Sequence, residues 1–142
     1  MSYLKKTFKI KARDFSHGGS GSIRIQGILK KIGFDFDIIR RVSICSYESE
    51  MNVVMHGGNG ALSVEVSPEN IILHINDDGK GIEDIELALQ EGYSTSTEED
   101  REMGFGAGMG LPNIKRHSDS LDISSQKGTG TSLKITFKVG TK

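Results

Sequence analysis

Residues 3–11 set apolar Leu4, Phe8 and Ile10 among lysines. This alternation predicts a half-exposed strand whose lysines discourage pairing with a foreign edge. After the loop Ser16–Gly21, Ile25, Ile28, Leu29 and Ile32 recur at helical spacing, and Gly33 supplies a stop. A second helix, capped by Asp35 or Asp37, carries Ile38, Val42, Ile44 and Cys45 on to His56 and ends in Gly57–Gly60. Runs rich in β-branched residues at 61–67 and 70–76, joined by Ser67-Pro-Glu-Asn70, predict a hairpin. Glu83, Asp84 and Glu86 suit the first turn of a short helix over 84–91. Residues 92–109 lack periodicity and read as a mobile loop. Leu111 to His117 reads as a helix with Pro112 in its first turn, and strands near 121–126 and 131–139 close the chain around Lys127–Gly130. The order βααββααββ predicts an α+β fold: a two-layer sandwich with a mixed, mostly antiparallel sheet and helices on one face. At 142 residues without an internal repeat, residues 1–142 are expected to form a single domain.

Composition removes several function classes. A net charge of -1 leaves no electrostatic footprint for nucleic acid. The lone cysteine, Cys45, permits no disulfide within the chain and reads as a small buried residue on a helix. No apolar run approaches the roughly 18 residues of a membrane span, and the N-terminus lacks the apolar region of a signal peptide. The expectation is a soluble cytoplasmic protein. Glycine is the oddity, with 18 residues against 2 prolines, gathered at 18–21, 57–60, 79–81, 104–110 and 128–130.

Three of these regions carry candidate chemistry. Glu48, Asn52 and His56 follow one another at four-residue spacing on a single helix stripe, where polar groups must find partners or cost free energy. The Asn52 amide oxygen is a hard ligand suited to Mg²⁺. Glu48, one turn earlier, could take a proton from a hydroxyl or water near a γ-phosphate. His56 reads as a packing or helix-end residue, and Glu-x-x-x-Asn alone is common on solvated helix faces. What changes its weight is the hairpin that follows, which ends in Asp77-Asp-Gly79-Lys-Gly81. An acidic group at a strand end can accept from an adenine amino group, while Gly79 and Gly81 let the backbone pass close to the base. Asp-Gly is otherwise an ordinary turn signal, and the spacing to the glycines selects Asp77 over Asp78. Finally, Gly104-Phe-Gly106-Ala-Gly108-Met-Gly110-Leu111 alternates glycine and then enters a helix, so its N–H groups offer an anion site. It is no Walker A loop, having no Gly-Lys-Ser/Thr, and no strand of a βαβ unit precedes it.

Taken in order, these segments resemble the ATP site of the GHKL superfamily, the Bergerat fold of gyrase, heat-shock chaperones, histidine kinases and MutL. The likeness runs from about residue 22 to 138. Its most specific stretch is Gln90-Glu-Gly-Tyr-Ser-Thr-Ser followed by Gly106-Ala-Gly-Met-Gly-Leu-Pro-Asn-Ile-Lys. That stretch is similar to the small bacterial anti-sigma factor and serine/threonine kinase branch. The resemblance implies ATP and Mg²⁺ as cofactors and Glu48 as catalytic base. It implies Asn52 as Mg²⁺ ligand and Asp77 as adenine contact, with Gly79 and Gly81 beside the base. Gly106, Gly108, Gly110 and Leu111 become part of a phosphate lid (about 92–109 and the helix start), and Thr131 of Gly128-Thr-Gly-Thr131 the adenine-pocket residue closest to the nucleotide. Arg101 sits where relatives place a basic residue that meets the partner or the γ-phosphate. The implied partners are a regulatory protein of the anti-anti-sigma (STAS) type, whose Ser or Thr is phosphorylated, and a sigma factor, with a homodimer surface on the helices of the N-terminal half.

A nucleotide-dependent binding switch with little chemistry is the alternative. A split histidine kinase is disfavoured because residues 1–33 are too short for paired dimerisation helices. A gyrase- or MutL-type motor is disfavoured because no transducer domain follows. Two departures from the family stand out. Thr97–Met103 makes the lid long and acidic, and Glu50 replaces an apolar residue, pointing away from Glu48 toward a neighbouring element or a second subunit. The glycine loop 18–21 has no family counterpart and is expected to be a flexible connection.

Overall fold

The computed structural model describes residues 4–56, 58–79, 81, 89, 110–126 and 128–140. Its elements are β1 (Leu4–Ile10), α1 (Ser20–Ile32), α2 (Phe36–His56), β2 (Gly60–Val66), β3 (Asn70–Asp77), α3 (Gly110–His117), β4 (Ser120–Gln126) and β5 (Gly130–Lys138). The helix expected over 84–91 and the loop 92–109 lie outside the described residues.

The strands form one sheet in the order β1-β2-β3-β5-β4. All four ladders are antiparallel, which sharpens the expected mixed, mostly antiparallel sheet. Period-two alternation buries one face only: Leu62, Val64 and Val66 of β2, Ile71, Leu73 and Ile75 of β3, and Leu133, Ile135 and Phe137 of β5. Against it pack Ile25 and Leu29 of α1, Ile39, Val42, Cys45, Val53 and Val54 of α2, and Ile114 of α3. As expected, β1 lies at an edge. Lys6 is paired with Val64 on the core-facing side yet remains exposed, a charge at an open edge that opposes foreign pairing.

Helix boundaries follow local chemistry. Asp35 precedes α2 and its carbonyl accepts from the Ile39 N–H at 3.0 Å, while Asp37 in the first turn pairs with Arg40 at 3.1 Å. At the other end, Arg13 satisfies two of the free carbonyls: its N–H donates to Val54 O (2.8 Å) and its Nη1 to Met55 O (3.0 Å). To do so it adopts φ 60, a left-handed conformation rare for a residue with a side chain.

The glycine loop 18–21 is not the slack connection expected of it. Gly19, at φ 94, precedes α1, and a Cβ there would stand 3.1 Å from the Tyr47 ring of α2. A Cβ at Gly18 would come within 2.7 Å of the Met51 sulfur. The missing side chains let the start of α1 lie directly on α2, where it meets Glu50. That carboxylate, only 3% exposed, accepts from the N–H of Gly21 through Oε2 (3.1 Å) and of Ser22 through Oε1 (3.0 Å). A buried anion thus caps the positive end of a helix dipole and satisfies two otherwise orphaned donors. The unexpected acid in the helix motif turns toward α1 of its own chain. Glu50→Ala strips both donors of their acceptor inside the fold. It is expected to lower the unfolding free energy by about 2–4 kcal/mol, read as a reduced urea midpoint at unchanged slope.

Candidate functional site

The polar stripe of α2 is a helix–helix seam. α3 runs antiparallel to α2, and four contacts in sequence hold them in register. Arg41 Nε donates to the His117 carbonyl at 2.9 Å, and the Cys45 thiol donates to the Ile114 carbonyl at 3.5 Å. The Asn113 side chain stands beside the Glu48 carboxylate. The Asn52 amide lies against Gly110, its Oδ1 3.0 Å from where a Cβ would stand. Residues 41, 45, 48 and 52 of α2 therefore meet 117, 114, 113 and 110 of α3. The end of α3 that follows the glycine run is the end that meets Glu48 and Asn52.

Arg41 also pairs with Asp119 at 3.3 Å, and its guanidinium lies 5.7 Å from the centre of the Phe137 ring. It closes the C-terminal end of α3 as Arg13 closes that of α2. Cys45 is buried, and that burial pushes its thiol up to about 12, the inert role expected of it.

Burial of Glu48 between the helices raises its pKa above the ordinary carboxylate value, and the hydrogen bond from Asn113 works in the opposite direction. A half-buried carboxylate with raised proton affinity is suited to taking a proton.

Asp77 ends β3 where two other strands begin, paired with Gly60 of β2 on one side and Thr131 of β5 on the other. A Cβ at Gly60 would collide with the Asn76 carbonyl, and one at Gly130 with the Asp77 carbonyl. Gly130 also adopts φ 131, so both space and conformation exclude a side chain there. Held this way, the Asp77 carboxylate is half-buried, whereas Asp78 is exposed. Asp77 Oδ1 accepts from the Gly79 N–H at 2.8 Å. Burial raises its pKa, the N–H groups of Gly79 and Thr131 lower it, and the neighbouring Asp78 charge raises it further. Thr131 Oγ1 lies 3.0 Å from Ser125 Oγ, which donates to the Gly130 carbonyl at 3.1 Å. Gly81 follows the turn at φ 79.

The two halves of the site are linked where the chain passes from α2 into β2, opposite Asp77. Asn59, just ahead of β2, braces the turn: its carbonyl accepts from the Asp78 N–H (3.1 Å) and its Oδ1 from the Ala12 N–H (3.0 Å). Gly110 begins α3 and Leu111 packs half-buried against the core. Gly106, Gly108 and Arg101 lie outside the described residues. His17 is exposed and pairs with Asp14 at 3.1 Å, ahead of α1.

Sequence reasoning misses Asn113, Arg41, Arg13 and Asn59. Only Asn113 leaves a usable signal. Gly110 and Asn113 are three apart on α3, a spacing that matches the one-turn separation of Glu48 and Asn52 on α2.

Residues 39–141 match the family described as histidine kinase-, DNA gyrase B-, and HSP90-like ATPase. An anti-sigma F factor of Thermoanaerobacter sp. (strain X514) is 35% identical over 98 residues, 66% of this chain and 65% of that protein. The chain thus spans just under two thirds of that relative's length. The serine/threonine-protein kinase RsbT of Bacillus subtilis (strain 168) is 28% identical over 112 residues, 76% of this chain and 78% of its own. The mycobacterial sensor histidine kinase MprB shares the fold, with a TM-score of 0.52 at 13% identity over 98% of this chain and 100% of that one. With most of its length matched to one family and the antiparallel sheet and helices in place, the chain belongs to the histidine kinase-, DNA gyrase B- and HSP90-like (GHKL) ATPases.

Proposed function

We propose that this protein is a Mg²⁺-dependent protein serine/threonine kinase of the anti-sigma type, transferring the γ-phosphate of ATP to a small regulatory protein. The observation that carries the reading is the α2–α3 seam. It sets a proton-seeking carboxylate, Glu48, one turn from the Asn52 amide, at the start of the helix that follows the glycine run. The names of the anti-sigma F and RsbT relatives support the regulatory and kinase parts of this reading.

In this reading Asp77 accepts the adenine amino group and Thr131 borders the base, with Gly79 and Gly81 giving the backbone close approach. Gly106, Gly108, Gly110 and Leu111 present N–H groups and a helix N-terminus to the phosphates. The residues present fit Mg²⁺. Asn52 offers one neutral amide oxygen at the α2–α3 seam, beside Gly110. That is the sparse donor set of an ion held mainly by phosphates and water. When bound, Mg²⁺ neutralises charge on the β- and γ-phosphates. Glu48 takes the proton of the attacking Ser or Thr hydroxyl as its oxygen bonds to the γ-phosphorus and ADP departs with the bridging oxygen.

Residues 1–142 act as one domain in this reading, in the cytoplasm and as a homodimer through the N-terminal helices. Among the described residues no helix is long and apolar enough to cross a membrane. The second reading, a nucleotide-dependent binding switch, draws on the anti-sigma names of the relatives. The test is incubation with γ-labelled ATP and a STAS-type regulatory protein, with phosphosite mapping and a pull-down with and without nucleotide. Label on a partner Ser or Thr is the expected result. Nucleotide-dependent capture without label would leave the switch standing and the kinase not.

A further inference from the structure

We propose that Ser125 is a positioning residue that sets base specificity: it accepts a hydrogen bond from the Thr131 hydroxyl, so that Thr131 meets the base as an acceptor alone. This rests on the reading above in which Asp77 and Thr131 border the adenine.

The strand ladders place these residues in one row. Gly60 is paired with Asp77, Asp77 with Thr131, and Thr131 with Ser125. The neighbouring row on the same face is Leu62, Ile75, Leu133 and Ile123, all in the core or packed against it. Asp77, Thr131 and Ser125 therefore continue the helix-covered face beyond that apolar row, as three polar groups side by side.

A count of protons fixes the direction of their hydrogen bonds. A serine hydroxyl carries one proton, and a carbonyl can only accept. Ser125 Oγ donates its proton to the Gly130 carbonyl at 3.1 Å. The contact of 3.0 Å between Ser125 Oγ and Thr131 Oγ1 therefore takes its proton from Thr131. The reverse assignment would set Ser125 against the Gly130 carbonyl lone pair to lone pair. That carbonyl is held in place: Gly130 adopts φ 131 and lies so close to the Asp77 backbone that a Cβ would collide with it. With its proton committed, Thr131 Oγ1 presents only lone pairs, beside the acceptor-only carboxylate of Asp77.

Two adjacent acceptors suit the 6-amino group of adenine, which carries two N–H donors. They oppose a 6-oxo purine, whose oxygen would meet lone pairs. A threonine hydroxyl left to rotate would satisfy either base. Ser125 thus makes an adaptable group selective.

The test is calorimetric titration with ATP and with inosine triphosphate, which carries an oxygen where ATP carries the 6-amino group. Ser125→Ala is expected to lower the ratio of ATP affinity to inosine triphosphate affinity about three- to tenfold, the range of one neutral hydrogen bond. Ser125→Thr keeps the hydroxyl in a strand, where β-branched residues are at home, and should hold the native ratio. In a Thr131→Val background, Ser125→Ala should leave the ratio unmoved, since no hydroxyl remains to orient. A merely structural serine would lower both affinities alike. An unchanged ratio in Ser125→Ala, or an equal fall with and without the Thr131 hydroxyl, would overturn the inference while the adenine reading stands. A native protein without preference between the two nucleotides would end the adenine reading of Asp77 and Thr131, and the inference with it.

Discussion

Replacing Glu48 with alanine is expected to slow phosphotransfer to the protein substrate by about 10²–10⁴-fold, the usual contribution of a positioned base. ATP affinity should change little, because the residues proposed to hold the nucleotide lie on the Asp77 turn and the glycine run. Single-turnover transfer measured beside equilibrium ATP binding separates the two effects, and native-rate transfer by the variant would end the base assignment. Removing the charge has an opposite effect on stability. The folded-state pKa of Glu48 is raised, chiefly by burial. The folded chain therefore holds the proton more tightly than the unfolded chain. Its contribution is present below the ordinary carboxylate pKa and is lost as pH rises through the raised value. At neutral pH the ionised group opposes folding, so Glu48→Gln should unfold at an equal or higher urea concentration than the native protein. A dead enzyme of undiminished stability is the expected signature of a catalytic carboxylate held at a cost to the fold.

Asp77→Asn is expected to weaken ATP binding about ten- to a hundredfold, the loss of one hydrogen bond to a charged acceptor. The variant should stay folded, because an amide oxygen can still accept from the Gly79 N–H that now bonds Asp77 Oδ1 at 2.8 Å. Base preference should change with affinity. A carboxylate accepts from the adenine amino group and repels the guanine oxygen, whereas an amide tolerates both, so the ratio of ATP to GTP affinity should fall. Calorimetric titration across pH gives a further check. Burial raises the pKa of Asp77, so in the native protein ATP affinity should decline on acidification from a higher pH than an ordinary carboxylate would dictate. Native ATP affinity and base preference in Asp77→Asn would remove Asp77 from the adenine pocket.

Both predictions concern residues legible in the amino-acid sequence. Glu48, Asn52 and Asp77 each stand at fixed spacing from a local signal, either another polar residue on the same helix stripe or a glycine in the same turn. The strands are legible for the same reason, since period-two alternation is written over seven to nine neighbouring residues. Glu50 shows the limit. Its position within the helix motif marks it as odd, but its partners are the N–H groups of Gly21 and Ser22, 29 and 28 residues away. Backbone donors carry no residue identity, so no pattern in the chain announces them. The glycines at 18–21 mislead on the same account. A glycine that allows flexibility and one that allows close packing look alike in a sequence, and only the Tyr47 and Met51 side chains against them tell the two apart.

The sequence by itself determined the β-strands and the helices of the described residues and the family, and it singled out three segments as candidates for a nucleotide site, because those signals are local and periodic. Tertiary structure decided the surroundings of those residues. Arg41 meets His117 across 76 positions and Cys45 meets Ile114 across 69, and with that register Asn113 arrives at Glu48 and Gly110 at Asn52. The physical reason is that a carboxylate's proton affinity depends on the water it has lost and the donors it has gained. Both come from a helix more than fifty residues further along the chain, and neither exists until α3 packs against α2.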